Sequence, residues 1–220
     1  MSAKEHAPLR NDGLRIDFET IRIDLPRESI YRRLGYRRDA TRISPQQSAE
    51  IESYMEEARS LICLKGTVLR LPIAEISPSR VVLKGGVAFE SRHLARFFDR
   101  CREAALLGAT AGSAIMEAIA DDAAGRNVTR AVVLDATASE MTDAALDWIL
   151  GSLRPSLRRE NKMFLPRRYS AGYGDFALEN QRTIYRLLQL NRFGVILTES
   201  CLLVPEKSVT ALTGIRDVAP

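Results

Sequence analysis

Arg167-Arg168-Tyr169-Ser170-Ala171-Gly172-Tyr173-Gly174-Asp175-Phe176 is the least ordinary stretch of the chain. Two glycines flank a tyrosine, which permits backbone angles closed to other residues and a close approach of main chain to a ligand. Arg168 carries a planar fork that grips a carboxylate by two hydrogen bonds. Read from the residues alone, the stretch is equally a surface turn, with glycines for geometry and arginines for solvation. Either way it is a loop, and the elements on its two sides set the fold.

Downstream, Leu178 to Leu190 carries Ile184, Leu187 and Leu188 on one face and predicts a helix. Phe193 to Val204 and Ser208 to Ile215 are β-rich and joined by Pro205-Glu206-Lys207, which predicts that these two segments form an antiparallel pair. Upstream, Met163 to Tyr173 reads as a loop with a short extended start, preceded by a long helix from about Val128 to Leu153. Ser113 to Ala124 also reads as helix, as does Ser91 to Arg102, with Leu94, Phe97, Phe98 and Cys101 at helical spacing. Ala104 to Ala111 is small and apolar and fits either a buried strand or more helix. Leu61 to Ile76 and Arg80 to Phe89 are rich in Val, Ile and Leu and read as strands.

Ser44-Pro45-Gln46-Gln47 is a helix start: a hydroxyl cap, a proline in the first turn and a glutamine three after the cap. Pro26 opens a short helix stopped at Gly35, and Leu14, Ile16 and Phe18 alternate with polar residues. The elements mix without a regular β-α-β alternation. The expectation is therefore an α+β protein, a mixed or antiparallel sheet packed with helices, forming one domain over residues 14–220 after a disordered tail at 1–13.

Composition narrows the function. The 220 residues are 45% hydrophobic and 27% charged, with a net charge of +4, ordinary for a globular chain. Basic residues are interleaved with acids and form no stripe with aromatics, which argues against a nucleic-acid partner. No apolar run is long enough for a membrane span, and the polar stretch before Gly13 lacks the centre of a secretory signal; both predict a cytoplasmic protein. Cys63, Cys101 and Cys201 lie far apart in apolar surroundings and read as buried thiols rather than disulfides. The only histidines, His6 and His93, have no neighbouring ligand-type residue, so no metal site is expected. Neither a nucleophile elbow nor a phosphate-binding glycine loop is present, and no residue is assigned as a catalytic acid or base. Gly108 and Gly112 are explained by close packing.

Arg168-x-x-x-Gly172-Tyr173 resembles the arginine, glycine and tyrosine motif of the reactivation domain of cobalamin-dependent methionine synthase. Leu197-Thr198-Glu199-Ser200 followed by Pro205-x-x-Ser208-Val209 is similar to that family's second signature, at the spacing set by the intervening helix. The resemblance is closest to small free-standing relatives, whose blocks here are Gly172 to Asp175, Leu197 to Ser200 and Pro205 to Val209, with Leu34-Gly35-Tyr36 and Val133 to Ala138 as weaker companions. It spans about Arg27 to Ile215. Ala171 stands where relatives usually have proline. Asp143 stands where the large enzymes have a longer acidic residue, and Thr213-Gly214 falls near an aromatic pair of theirs.

The resemblance implies a methionine synthase activation domain-like fold, S-adenosylmethionine as cofactor, and a partner that carries cobalamin. That partner is methionine synthase or another corrinoid methyltransferase, served by an electron donor such as a flavodoxin. The implied activity is reductive remethylation of cob(II)alamin, performed by positioning rather than by acid–base chemistry. The implied cofactor-binding residues are Arg168 for the methionine carboxylate, the main chain at Ala171 and Gly172, Tyr173 facing the corrin, and Asp143 for the ammonium. The alternative is a docking or scaffold subunit of such a methyltransferase that keeps the fold without the cofactor.

Overall fold

The computed structural model describes residues 13–37, 40–125 and 127–218; apart from Gly13, the tail expected at 1–13 lies outside the described residues. In chain order the elements are β1 (Leu14–Phe18), α1 (Arg27–Arg33), α2 (Pro45–Leu61), β2 (Lys65–Ser77), β3 (Arg80–Leu83), β4 (Val87–Glu90), α3 (Arg92–Phe97) and β5 (Glu103–Thr110). These are followed by α4 (Ala114–Gly125), α5 (Val128–Arg159), β6 (Lys162–Phe164), α6 (Asn180–Leu188), a 3-10 turn (Leu190–Phe193), β7 (Ile196–Leu197), β8 (Leu203–Val204) and β9 (Ser208–Asp217). The class is α+β, as expected, and every strand pair is antiparallel.

Seven strands form the main sheet among the described residues, in the order β4-β3-β2-β5-β9-β6, with β1 also on β2. The long β2 serves two neighbourhoods. Its first part pairs with β1 and β5, and beyond an irregularity between Ile73 and Glu75 it pairs with β3. Both faces of the sheet are covered. Val68, Ala105, Leu107, Ala109, Ala211 and Ile215 face one core with α2 and α5, while Leu69, Leu71, Ala104, Leu106 and Leu212 face a second core with α3 and α6. Two-sided burial removes the polar/apolar alternation that marks a half-exposed strand, which is why Ala104 to Ala111 left strand and helix open. Gly108 is tied to this packing: a Cβ there would lie 2.7 Å from Leu190 Cδ2.

Local signals hold where expected. Ser44 accepts from Gln47 N at 3.2 Å while Gln47 Oε1 accepts from Ser44 N at 3.0 Å, a complete capping box for α2. The helix expected to end near Leu153 continues through Pro155 to Arg159. The proline forfeits one intrahelical bond, but burial of Leu150, Leu153 and Leu157 carries the helix past it.

Three expectations change. The pair expected between Phe193–Val204 and Ser208–Ile215 does not form. β9 is buried on both sides from Thr210 to Ile215 and is taken up between β5 and β6, with Thr210 opposite Gly108 and Ile215 opposite Phe164. Residues 196–204 instead fold on themselves, Ile196 opposite Val204, around a turn in which Thr198 Oγ1 accepts from Leu202 N. Arg80 to Phe89 is a hairpin, β3 and β4, rather than one strand. Of the three thiols Cys101 and Cys201 are buried, whereas Cys63, just ahead of β2, is exposed.

One ionic network ties the sheet to the end of α5. Arg70 on β2 donates to Glu103 on β5 (Nη2, 3.0 Å) and to Glu160 at the C-cap of α5 (Nη1, 2.8 Å), and Lys162 on β6 donates to both carboxylates. Burial acts to raise the Glu103 carboxyl, but Arg70 and Lys162 outweigh it and hold it below its ordinary value. Glu160, bonded by Arg70, is held down at about 2.

Candidate functional site

The loop singled out in the sequence begins as an extended segment bridged to β9 at Tyr169. After β6, Leu165 N donates to Gly214 O (2.9 Å), Thr213 Oγ1 to Arg167 O (2.9 Å), and Tyr169 exchanges backbone bonds with Leu212 (2.8 and 2.7 Å). Ser170 Oγ then donates to Thr210 O at 2.8 Å. In extended chain successive side chains take opposite sides. Arg168 thus meets α5, and Tyr169 turns to the other core, its ring 5.8 Å from Phe97 and 6.1 Å from Phe176.

The two glycines then reverse the chain. Gly172 has φ +91° and Gly174 φ +57°, values that side-chain-bearing residues rarely adopt. A Cβ on Gly174 would lie 2.4 Å from His93 Nδ1 and 2.6 Å from the Tyr169 hydroxyl. The reversal is closed by Gly172 N donating to Phe176 O (2.7 Å) and Phe176 N to Tyr173 O (3.0 Å). Asp175 pins it from outside, accepting from Ser91 Oγ, Arg92 N (2.8 Å) and His93 N (3.2 Å) at the start of α3. These donors, Ser91 foremost, hold its carboxyl below the ordinary value. Phe176 is fully buried, edge-on to Phe89. So fixed, the loop presents Tyr173 68% exposed, its hydroxyl unbonded among the described residues.

Asp143, Asp147, Leu150 and Arg154 follow one another at i, i+4, i+7 and i+11 along α5, hence on one face. With Phe164 to Ser170 and Tyr173 they enclose a cavity of about 580 Å³, within the ordinary range for a small-molecule site. At its centre Arg168 Nη2 donates to both oxygens of Asp143, each at 2.9 Å, and Nη1 donates to Asp147. The arginine side chain is 18% exposed while the two aspartates are open to solvent. Arg154 and Arg167 also line the cavity and have no ionic partner among the described residues. A larger hollow of about 970 Å³ lies farther along the edge, around Ile73, Arg100, Arg102 and Met163. There Arg102 pairs with Asp217 and Arg100 with Asp99.

Of the residues singled out in the sequence, Asp143, Arg168 and Tyr173 meet around one cavity. Ala171 is buried and Gly172 spends its N–H on Phe176; neither is on the cavity wall. Asp147, Arg154 and Tyr169 also line the cavity, and the sequence pattern assigns none of them a role. The first two were signalled by their spacing from Asp143 on the helix; Tyr169 had no signal apart from its place beside Arg168. The cavity holds an anion-binding fork beside carboxylates, suited to a ligand with both charges. Among the described residues no group of three His, Cys, Asp or Glu is placed to hold a metal ion, and no helix is long and apolar enough to cross a membrane.

No family model matches the sequence, and no curated protein matches it. The fold does have a counterpart among solved structures. The MetH reactivation domain bound to AdoHcy superposes with a TM-score of 0.60 at 14% sequence identity, covering 97% of this chain and 82% of that one. From β1 to β9, this chain has the fold of the methionine synthase reactivation domain.

Proposed function

We propose that the chain binds S-adenosylmethionine in the cavity between α5 and the Arg168–Tyr173 loop and presents it to a cobalamin-carrying methyltransferase. The observation that carries this reading is the meeting of Arg168 and Asp143, distant in sequence, on the wall of one cavity with Tyr173 at its rim. The neighbouring fold, solved with AdoHcy, supports the same ligand class. The residues present fit it: Arg168 for the carboxylate, Asp143 for the ammonium, and an open cavity for the nucleoside. Bound there, the cofactor supplies an already activated sulfonium methyl group, so the site needs no general acid or base.

The protein's part is then orientation. Arg168 fixes the amino-acid end, and the segment 165–170, hydrogen-bonded to β9 at Leu165 and Tyr169, holds that arginine to the sheet. The glycine reversal, pinned by Asp175, keeps Tyr173 facing outward, where a corrin carried by the partner would lie. Reductive remethylation of cob(II)alamin on that partner, methionine synthase or a related corrinoid methyltransferase, with an electron donor such as a flavodoxin and in the cytoplasm, completes the reading.

A second reading, a docking subunit without the cofactor, is favoured by one observation: both Nη atoms of Arg168 are already paired within the chain. Calorimetric titration with S-adenosylmethionine, with and without a cobalamin-loaded methionine synthase, separates the two. Saturable binding by the chain supports the first. Association with the partner but no cofactor uptake supports the second.

A further inference from the structure

A guanidinium offers two two-pronged edges to a carboxylate: Nε with Nη2 along its side, and Nη1 with Nη2 across its end. On Arg168 the shared prong, Nη2, is held by both oxygens of Asp143, and Nη1 is held by Asp147. Among the described residues Nε has no partner, and it is not a buried unpartnered atom; there Arg15 Nη1 alone is. The side edge is therefore half free and the end edge wholly taken. A carboxylate making two parallel bonds meets least competition on Nε and Nη2, where it contends with Asp143 alone and leaves Asp147 in place.

Asp143 then stands beside the incoming carboxylate, the two negative charges sharing Nη2 of one guanidinium. An ammonium on the carbon next to that carboxylate restores the balance. We propose that an α-amino-acid headgroup and Asp143 exchange on Arg168, the ligand carboxylate taking Nη2 as the ligand ammonium takes Asp143, while Asp147 acts as a positioning residue that holds the guanidinium by Nη1 throughout. This rests on the reading of the cavity as the S-adenosylmethionine site and adds its rule of selection. A carboxylate without an ammonium leaves two like charges together. An ammonium without a carboxylate must compete with Arg168 for Asp143. The unpaired Arg154 and Arg167 on the same wall are the competing grips: a carboxylate held there requires no exchange.

The test is calorimetry on the full chain with S-adenosylhomocysteine and its des-amino analogue, which keeps nucleoside, thioether and carboxylate. Wild type should prefer the amino acid by about tenfold or more, the scale of the Asp143 carboxylate left without its partner in the des-amino complex. Asp143→Asn should weaken S-adenosylhomocysteine yet tighten the des-amino analogue by about two- to fivefold, the worth of an exposed ion pair no longer in competition. Asp147→Asn should weaken both ligands about equally and leave the preference intact, with Asp147→Glu recovering part of the loss. A merely structural role for Asp143 would move both ligands the same way, and that result overturns the exchange. Tighter binding after Asp147→Asn overturns the positioning role. Loss of binding in Arg154→Ala or Arg167→Ala, with Arg168→Ala unaffected, assigns the carboxylate elsewhere and overturns both. Equal wild-type affinity for the two ligands removes the exchange but keeps the cofactor reading. No wild-type affinity for either removes both.

Discussion

Asp175 caps helix α3 from outside it: its carboxylate accepts the Arg92 N–H at 2.8 Å across 83 residues of chain. The loop that positions Tyr173 is thereby fastened to the far side of the second core. Asp175→Ala should lower Tm by about 2–6 °C, the usual scale of a lost helix cap in a domain of this size. Because the folded-state pKa of Asp175 is depressed, its contribution is present above the ordinary carboxylate range and is lost as pH falls through the folded value. The wild-type and Asp175→Ala melting curves should therefore converge on acidification, and parallel curves down to acid pH would contradict the cap.

Gly174→Ala tests the reversal itself. The added methyl meets His93 Nδ1 at 2.4 Å and the Tyr169 hydroxyl at 2.6 Å, at a φ of +57°. Strain of this kind costs about 1–3 kcal/mol, read by chemical denaturation as a lower midpoint at unchanged slope. Gly35→Ala, also at positive φ but with nothing within 4 Å, should cost less, because only the backbone angle is penalised. Equal losses would show that the contacts to His93 and Tyr169 are immaterial.

Arg70 is 8% exposed and holds two carboxylates. Arg70→Ala should cost about 1.5–3 kcal/mol, the scale of lost hydrogen bonds to charged groups, because Lys162 still bonds both carboxylates. Glu103 and Glu160 are both depressed in the folded state, Glu160 to about 2. Their contribution is full above the ordinary glutamate value and disappears as pH falls through the folded values. The gap between wild type and Arg70→Ala should therefore shrink below pH ~4, and a gap that widens with acid would contradict the network.

Cys63 is exposed, while Cys101 and Cys201 are buried, and burial pushes the Cys101 thiol up to about 11. Native protein treated with a maleimide should gain one adduct per chain, and denatured protein three, the number of cysteines in the sequence. Rapid native labelling of Cys101 would contradict the packing around it.

Legibility followed the range of the forces. The capping box at Ser44, the helix from Val128 and the loop at 167–176 depend on neighbours within a turn or two, and the sequence states them directly. The partner of β9 does not: Thr210 to Ile215 is buried on both faces, a burial that its own residues do not announce, and sequence proximity pointed to the wrong segment. The site divides the same way. Arg168 and Tyr173 stood out as a pattern, and Asp143 came only through the family resemblance. Asp147 is one helical turn from Asp143, but nothing in its own surroundings marks it, because its significance arises from the arginine that a separate strand brings to it.

The central claim is that Arg168 grips the carboxylate of S-adenosylmethionine. Calorimetric titration of wild type and Arg168→Ala with that cofactor tests it most directly. The account predicts saturable binding by wild type, weakened about thirty-fold or more in Arg168→Ala, with Arg168→Lys recovering only part because an ammonium lacks the planar fork. Equal affinity in wild type and Arg168→Ala, or no binding by wild type even beside cobalamin-loaded methionine synthase, would contradict it.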